Sequence, residues 1–325
     1  MTTAVKSGQS EGTVEVTPSG IPIYYQSAPK RLYRVGKKTR LKADSPALLG
    51  SAQAPDTDWR EVPSVTAVLG VLDKPALPWW GMKVGVEGVI VLHNLGLLRS
   101  IVPQGSTQQV LACAEPILPG AGLVVAGMEQ VVELLKKHQL TVNHVRDKAG
   151  DRGQAVHDAL EHWAQTGARP DPSVFAPTEQ GYVRGLLAFL NDVPSAEPVA
   201  SEVLVASSEY GFAGRYDLRL RTTEEHDVVV HRTPVKGPQY RRLAPGEYLG
   251  DLKTSSGVYP SHARQLEAYE QASIESGYPE TEARGILHVG PEGTYEFVRS
   301  WATFQDFRAV LDVWQSDQDM KEAKK

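Results

Sequence analysis

The feature that most constrains this chain is a change of hydrophobic period near residue 200. Upstream, Val156, Leu160 and Trp163 recur at i, i+4 and i+7. Such an apolar stripe predicts a helix beginning near Asp151 and closed by Gly167 and Pro170. Another helix is expected from Thr178 to Leu190. Downstream, Glu202 to Ser208 and Phe212 to Arg221 read as strands joined by a turn at Tyr210-Gly211. Tyr248 to Lys253 reads as a third strand, and Ser261 to Ser276 as a helix stopped by Gly277 and Pro279. Ala283 to Val289 and Thr294 to Arg299 form a last strand pair, and Trp301 to Trp314 a closing helix. A chain that alternates strands and helices in this order builds one mixed α/β domain, not a repeat array.

The first half reads differently. Residues 1–20 are rich in Gly, Ser and Thr and carry no period, which predicts disorder. Lys30, Arg31, Arg34, Lys37, Lys38, Arg40 and Lys42 form a basic run with Tyr33 inside it. Ser64 is a candidate N-cap for an apolar pattern of Val65, Val68, Leu69 and Leu72, which Pro75 and Pro78 should end. Residues 84–101 and 123–138 suggest two more helices. Trp79 and Trp80 are expected in a core. The expected organisation is a disordered basic arm at 1–60, a helical region at 61–149, a mixed α/β domain at 150–314 and a charged, frayed tail at 315–325.

Composition narrows the function classes. The formal charge is -5, so a polyanion has to be held by a local basic patch rather than by net charge. A single cysteine, Cys113, excludes a four-cysteine zinc or iron–sulfur site within one chain. The N-terminal residues contain no apolar core of a signal peptide, and the stretch from Val84 to Ile101 is broken by Glu87, His93, Asn94 and Arg99. No membrane association and a cytoplasmic location are expected.

Chemistry concentrates in the second half. In a strand, Asp251 and Lys253 point to one face, with Leu252 turned into the core. The carboxylate can hold a divalent cation, the backbone carbonyl of Leu252 can add a ligand, and the ammonium can orient a water or steady charge on a phosphate. Asp217 lies in a neighbouring predicted strand, where cross-strand pairing would let both carboxylates share an ion. His157 sits one position off the apolar stripe, with Glu161 at i+4. Oxygen ligands with one imidazole suit Mg²⁺ or Mn²⁺. Gln265 and Tyr269, also i and i+4, can face the same cleft. Residues 222–247 form a polar excursion with a basic tip that includes Arg241 and Arg242.

Taken together, Gly153-x-x-x-His157-x-x-x-Glu161, Glu202, Gly214-x-x-Asp217, Asp251-x-Lys253-Thr254-Ser255 and Gln265-x-x-x-Tyr269 resemble the RecB-like branch of the PD-(D/E)XK nuclease superfamily. The resemblance covers roughly residues 150–290, and the stretch from Pro63 to Trp80 looks like the entry of phage-type members. It implies a restriction-endonuclease-like core: a central mixed sheet flanked by helices, with a helical N-terminal region. It implies an Mg²⁺- or Mn²⁺-dependent DNA exonuclease of recombination, repair or phage DNA processing, located in the host cytoplasm if phage-encoded. The alternatives are a structure- or site-specific endonuclease on that fold, or a non-catalytic DNA-binding module. By resemblance His157, Asp217 and Asp251 bind metal, Lys253 is catalytic, and Gln265 and Tyr269 line the DNA path. Glu202 matches a family glutamate without a fixed role. DNA is the implied partner, with a recombination annealing protein or a helicase as further partners. The separation of Asp217 from Asp251 exceeds the family's usual spacing, and no Gly-rich phosphate loop supplies a motor.

Overall fold

The computed structural model describes residues 3–7, 10–26, 31–36, 59–72, 76–95, 128–233 and 237–324. The fold is mixed α/β. It divides into two compact units, residues 73–152 and the remainder of the chain.

The larger unit is built on a five-stranded sheet of order β12-β11-β10-β7-β6. Its strands are β6 (Glu197–Ser207), β7 (Phe212–Thr222), β10 (Gly246–Lys253), β11 (Ala283–Val289) and β12 (Tyr295–Arg299). Only β10 and β11 run parallel. A parallel pair needs a crossover connection, and α6 (Pro260–Glu275) supplies it. The sheet is apolar on both sides because both are covered. On one side α6, α1 (Val65–Leu69) and α7 (Phe304–Glu322) bury Val65, Phe212, Tyr216, Leu249, Leu266, Ile286 and Phe307. On the other, α4 (Val142–Thr166) and α5 (Pro177–Asp192) bury Leu160, Leu186, Phe189, Leu218, Leu252 and Leu287.

Close approach of α5 to the turn before β12 depends on a missing side chain. A Cβ on Gly181 would stand 1.7 Å from the Pro291 carbonyl oxygen. Gly181→Ala should therefore lower stability by about 1–3 kcal/mol or more through overpacking, read from the midpoint of urea unfolding. An unchanged midpoint would mean that the turn gives way freely.

Several expectations are corrected here. The N-terminal arm forms a five-stranded antiparallel meander, β1 (Thr3–Ser7), β2 (Ser10–Val16), β3 (Pro22–Gln26), β4 (Leu32–Val35) and β5 (Arg60–Val62). Tertiary contacts fix it. Ile23, Tyr33 and Val62 pack on Leu204, Ala206 and Ala213 of the central sheet, and the Ser19 N–H and hydroxyl donate to carbonyls at the end of α6. Of the basic run, Arg31 and Arg34 are exposed on this sheet, and the other five cations lie outside the described residues. The tail from Gln315 is helical to Glu322, continuing α7. Helix α4 starts at Val142, well before Asp151; its first turns carry only the short, partly buried face of Val142, Val145 and Ala149 among polar residues, a weaker signal than the Val156 stripe. The excursion at 222–247 is a hairpin of β8 (His226–Thr233) and β9 (Gly237–Leu243) that seats Val228, Val229 and Leu243 in the core.

Ser64 caps α1 as expected, its hydroxyl accepting the Ala67 N–H at 3.1 Å. In the smaller unit, α2 (Ala76–Asn94) and α3 (Met128–Lys137) enclose Leu92 and Val131. Pro78 lies in the first turn of α2, where a missing N–H costs nothing, and so does not end a helix. Trp79 is 70% exposed rather than core. Cys113 lies outside the described residues. Among the described residues no helix is long and apolar enough to cross a membrane.

Candidate metal centre

The stripe that buries Val156, Leu160 and Trp163 fixes the rotation of α4 and leaves His157 at its border, one quarter exposed. His157 Nδ1 lies 3.6 Å from Asp217 Oδ2 and 4.0 Å from Glu202 Oε1. These three side chains, from α4, β7 and β6, bring ligand atoms within 4.8 Å of one another. No other group among the described residues does so.

A local irregularity creates this convergence. Phe212 and Tyr216 face α6, yet Leu218 and Leu220, of the same parity, pack on the α4/α5 side. A regular strand keeps one parity on one face, so the phase slips at Asp217. Across the ladder Ser201 pairs with Leu218 and Val203 with Tyr216, which sets Glu202 opposite the slip. Glu202 has φ 53°, a left-handed conformation that costs a non-glycine residue about 1–3 kcal/mol. Both carboxylates face His157 at this irregular stretch.

Asp217 also reaches β10. Pairing of β7 with β10 ends at Gly250/Leu218, and beyond it the Leu252 N–H donates to Asp217 Oδ2 at 2.7 Å. Leu252 itself packs in the α4/α5 core, as the strand alternation requires. On either side of it stand Asp251, fully buried, and Lys253, one fifth exposed. The Lys253 ammonium lies 2.5 Å from Asp251 Oδ2, but neither carboxylate oxygen forms a well-directed hydrogen bond. Burial raises the Asp251 carboxyl to about 6, Lys253 opposing and Asp217 adding to the shift. Burial also works against the Lys253 ammonium, but Asp251 and Asp217 outweigh it and hold the pKa above the usual lysine value. Asp251, expected as a metal ligand with His157 and Asp217, is outside the group of mutually close ligand atoms.

Glu202, whose part the sequence left open, is in that group. Its Oε2 sits 2.8 Å from Arg215 Nε, and the Arg215 guanidinium lies over the Tyr25 ring of the N-terminal sheet. Sequence reasoning missed Arg215 altogether. Burial pushes the Glu202 carboxyl up to about 7, Arg215 opposing and Asp217, Glu161 and Asp158 adding to the rise. Glu161 acts here at a distance, its own carboxylate accepting from Gln165. A raised folded pKa means that the folded chain holds an extra proton between about 4.5 and 7. Stability of the metal-free chain should therefore fall as pH rises across that window, and cation affinity should grow. In chelator, melting temperatures at both ends of the window should differ less for Glu202→Gln than for the unaltered chain. Equal differences would remove Glu202 as their source.

The other expected site residues are placed differently. Gln265 and Tyr269 are buried and bonded to each other, Gln265 Nε2 donating to Tyr269 Oη at 2.9 Å. They do not face an open cleft. A Cβ on Gly214 would stand 2.4 Å from the Tyr269 ring, so this glycine lets the ring lie flat on β7. Arg241 and Arg242 are exposed on β9, whose partner strand β8 touches β12, at the sheet edge opposite β6. Arg242 is paired with Glu225 at 2.5 Å, and Arg241 has no ion-pair partner among the described residues.

No protein-family model matches the chain, and no curated protein matches it.

Proposed function

We propose that the chain is a metal-dependent deoxyribonuclease of the PD-(D/E)XK kind, its central sheet a restriction-endonuclease-like core, acting as a DNA exonuclease in recombination, repair or phage DNA processing. One observation carries this reading. His157, Glu202 and Asp217 converge within 4.8 Å, and Asp217 is bonded to the strand that bears Asp251 and Lys253.

The donor set fits a hard divalent cation: two carboxylates, one imidazole and, just behind them, a buried carboxylate whose oxygens lack well-directed donors. A bound Mg²⁺ or Mn²⁺ supplies positive charge to the phosphate and acidifies water. The chain's own groups do the rest. Arg215 holds Glu202 Oε2 and leaves Oε1 toward His157. Asp217 pins the end of β10, which fixes Lys253 relative to the cluster. Lys253 stays protonated beside Asp251, so it serves as a cation that steadies negative charge on the phosphate and not as a proton acceptor. The buried Gln265–Tyr269 pair walls the Asp251 side, where burial first and the Asp251 charge second hold the Tyr269 phenol well above its usual pKa.

The test is incubation with end-labelled linear DNA and with a covalently closed circle, in Mn²⁺ and in excess chelator. Loss of the linear DNA alone, and only with the cation, is the expected result. Cutting of the circle would replace the exonuclease reading with the endonuclease one. Binding without hydrolysis of either substrate would leave a DNA-binding module, and equal hydrolysis in chelator would end the metal mechanism.

A further inference from the structure

Arg215 joins the metal centre to the N-terminal sheet. On β7 it stands two residues from Ala213, which packs against Ile23, Tyr33 and Val62, and strand alternation keeps both side chains on that side. The Arg215 guanidinium lies 5.3 Å from the centroid of the Tyr25 ring of β3, while its Nε is 2.8 Å from Glu202 Oε2. The N-terminal sheet is thus a wall of the centre.

That wall carries a second guanidinium. Tyr25 pairs with Tyr33 across the β3–β4 ladder, their ring centroids 4.9 Å apart. Arg31 stands two residues before Tyr33, just ahead of β4, and the alternation places it on the same side. Burial pushes the Tyr33 phenol up to about 12, and Arg31 and Arg215 both oppose the rise, so both charges act on this part of the wall. Arg31 is exposed and has no ion-pair partner among the described residues.

Glu202 does not use up Arg215. A guanidinium has five N–H donors; the carboxylate takes the Nε edge, the Tyr25 ring covers one face, and the side chain stays 39% exposed. Charge points the same way. Glu202, Asp217 and Asp251 bring three negative charges and Lys253 one positive charge. A bound dication balances these, which leaves the charge of a phosphodiester to Arg215.

We propose that Arg215 and Arg31 hold neighbouring backbone phosphates of one DNA strand, Arg215 the phosphate at the metal centre and Arg31 the next along the N-terminal sheet. This rests on the nuclease reading and adds the path of the substrate to it. Phosphate contacts carry no base readout, so the strand is gripped without regard to sequence.

The test is fluorescence anisotropy of a labelled single-stranded oligonucleotide with the full chain, in excess chelator and over a range of salt. The slope of log affinity against log salt should shrink by about 0.7 in Arg31→Gln, by about 0.7 in Arg215→Gln and by about 1.4 in the double variant. Arg215→Lys keeps the charge and should keep the slope. So should Arg34→Gln, because Arg34 lies on the other side of β4, over the Tyr24 ring at 5.7 Å. No binding by the unaltered chain, slopes unmoved in Arg31→Gln and Arg215→Gln, or an equal drop in Arg34→Gln would overturn the proposal. A chain that shows these slopes and hydrolyses nothing would sink the nuclease reading and leave the phosphate contacts standing. Cation-dependent hydrolysis with unmoved slopes would do the reverse.

Discussion

Asp217→Asn should abolish cation-dependent DNA hydrolysis, by at least about 10²-fold and so at least about 2.7 kcal/mol of transition-state stabilisation, while barely altering the fold. The reason lies in the two jobs of this side chain. Its Oδ2 both accepts the Leu252 N–H and faces His157 Nδ1. An asparagine carbonyl keeps the first contact, and the urea midpoint should stay within about 1 kcal/mol of the unaltered chain. It cannot supply the negative charge a hard dication requires. Binding of Mn²⁺, followed by calorimetry, should weaken in step with activity. DNA binding should survive, because the substitution removes a negative charge and so adds no repulsion toward the phosphates. Full activity in the substituted chain would sink the centre as drawn.

What the sequence makes legible here depends on periodicity. Strand β11 runs from Ala283 to Val289, the expected bounds, and the stripe of Val156, Leu160 and Trp163 fixes the face of α4. His157, Asp217, Asp251 and Lys253 can be read because they sit on such elements, where register follows from the apolar neighbours. Arg215 and the role of Glu202 cannot. Their pairing depends on the phase slip at Asp217 and the left-handed backbone of Glu202, which no local pattern encodes. The N-terminal sheet was hidden for a related reason. Its Gly, Ser and Thr content mimics a disordered arm, and its order comes from Leu204, Ala206, Ala213 and the end of α6, all far away in sequence. Gln265 and Tyr269 show the converse. Helical spacing places them on one face but does not tell an open cleft from a buried wall.

The Asp251–Lys253 pair should show strong thermodynamic coupling that catalysis does not share. Asp251 is fully buried, with the Lys253 ammonium 2.5 Å away. Removing one partner strands the other charge, and Asp251→Asn should cost about 3–5 kcal/mol. Lys253→Met should cost less below neutral pH, because the orphaned carboxyl can take a proton. That carboxyl already titrates at about 6 in the folded chain against a usual 3.8. The folded state therefore holds an extra proton between those values, and stability falls as pH rises across them. Loss of Lys253 stretches that window upward. The double substitution removes both charges, and its unfolding free energy should return toward the unaltered value, a coupling of about 1–3 kcal/mol in a double-mutant cycle. Activity should behave otherwise: both single variants and the double variant should lose at least about 10²-fold, since neither charge can be supplied by its partner's absence. Additive stability losses would show that the two groups do not pair in solution. Appreciable hydrolysis by the refolded double variant would show that the phosphate meets its stabilising charge elsewhere on the protein.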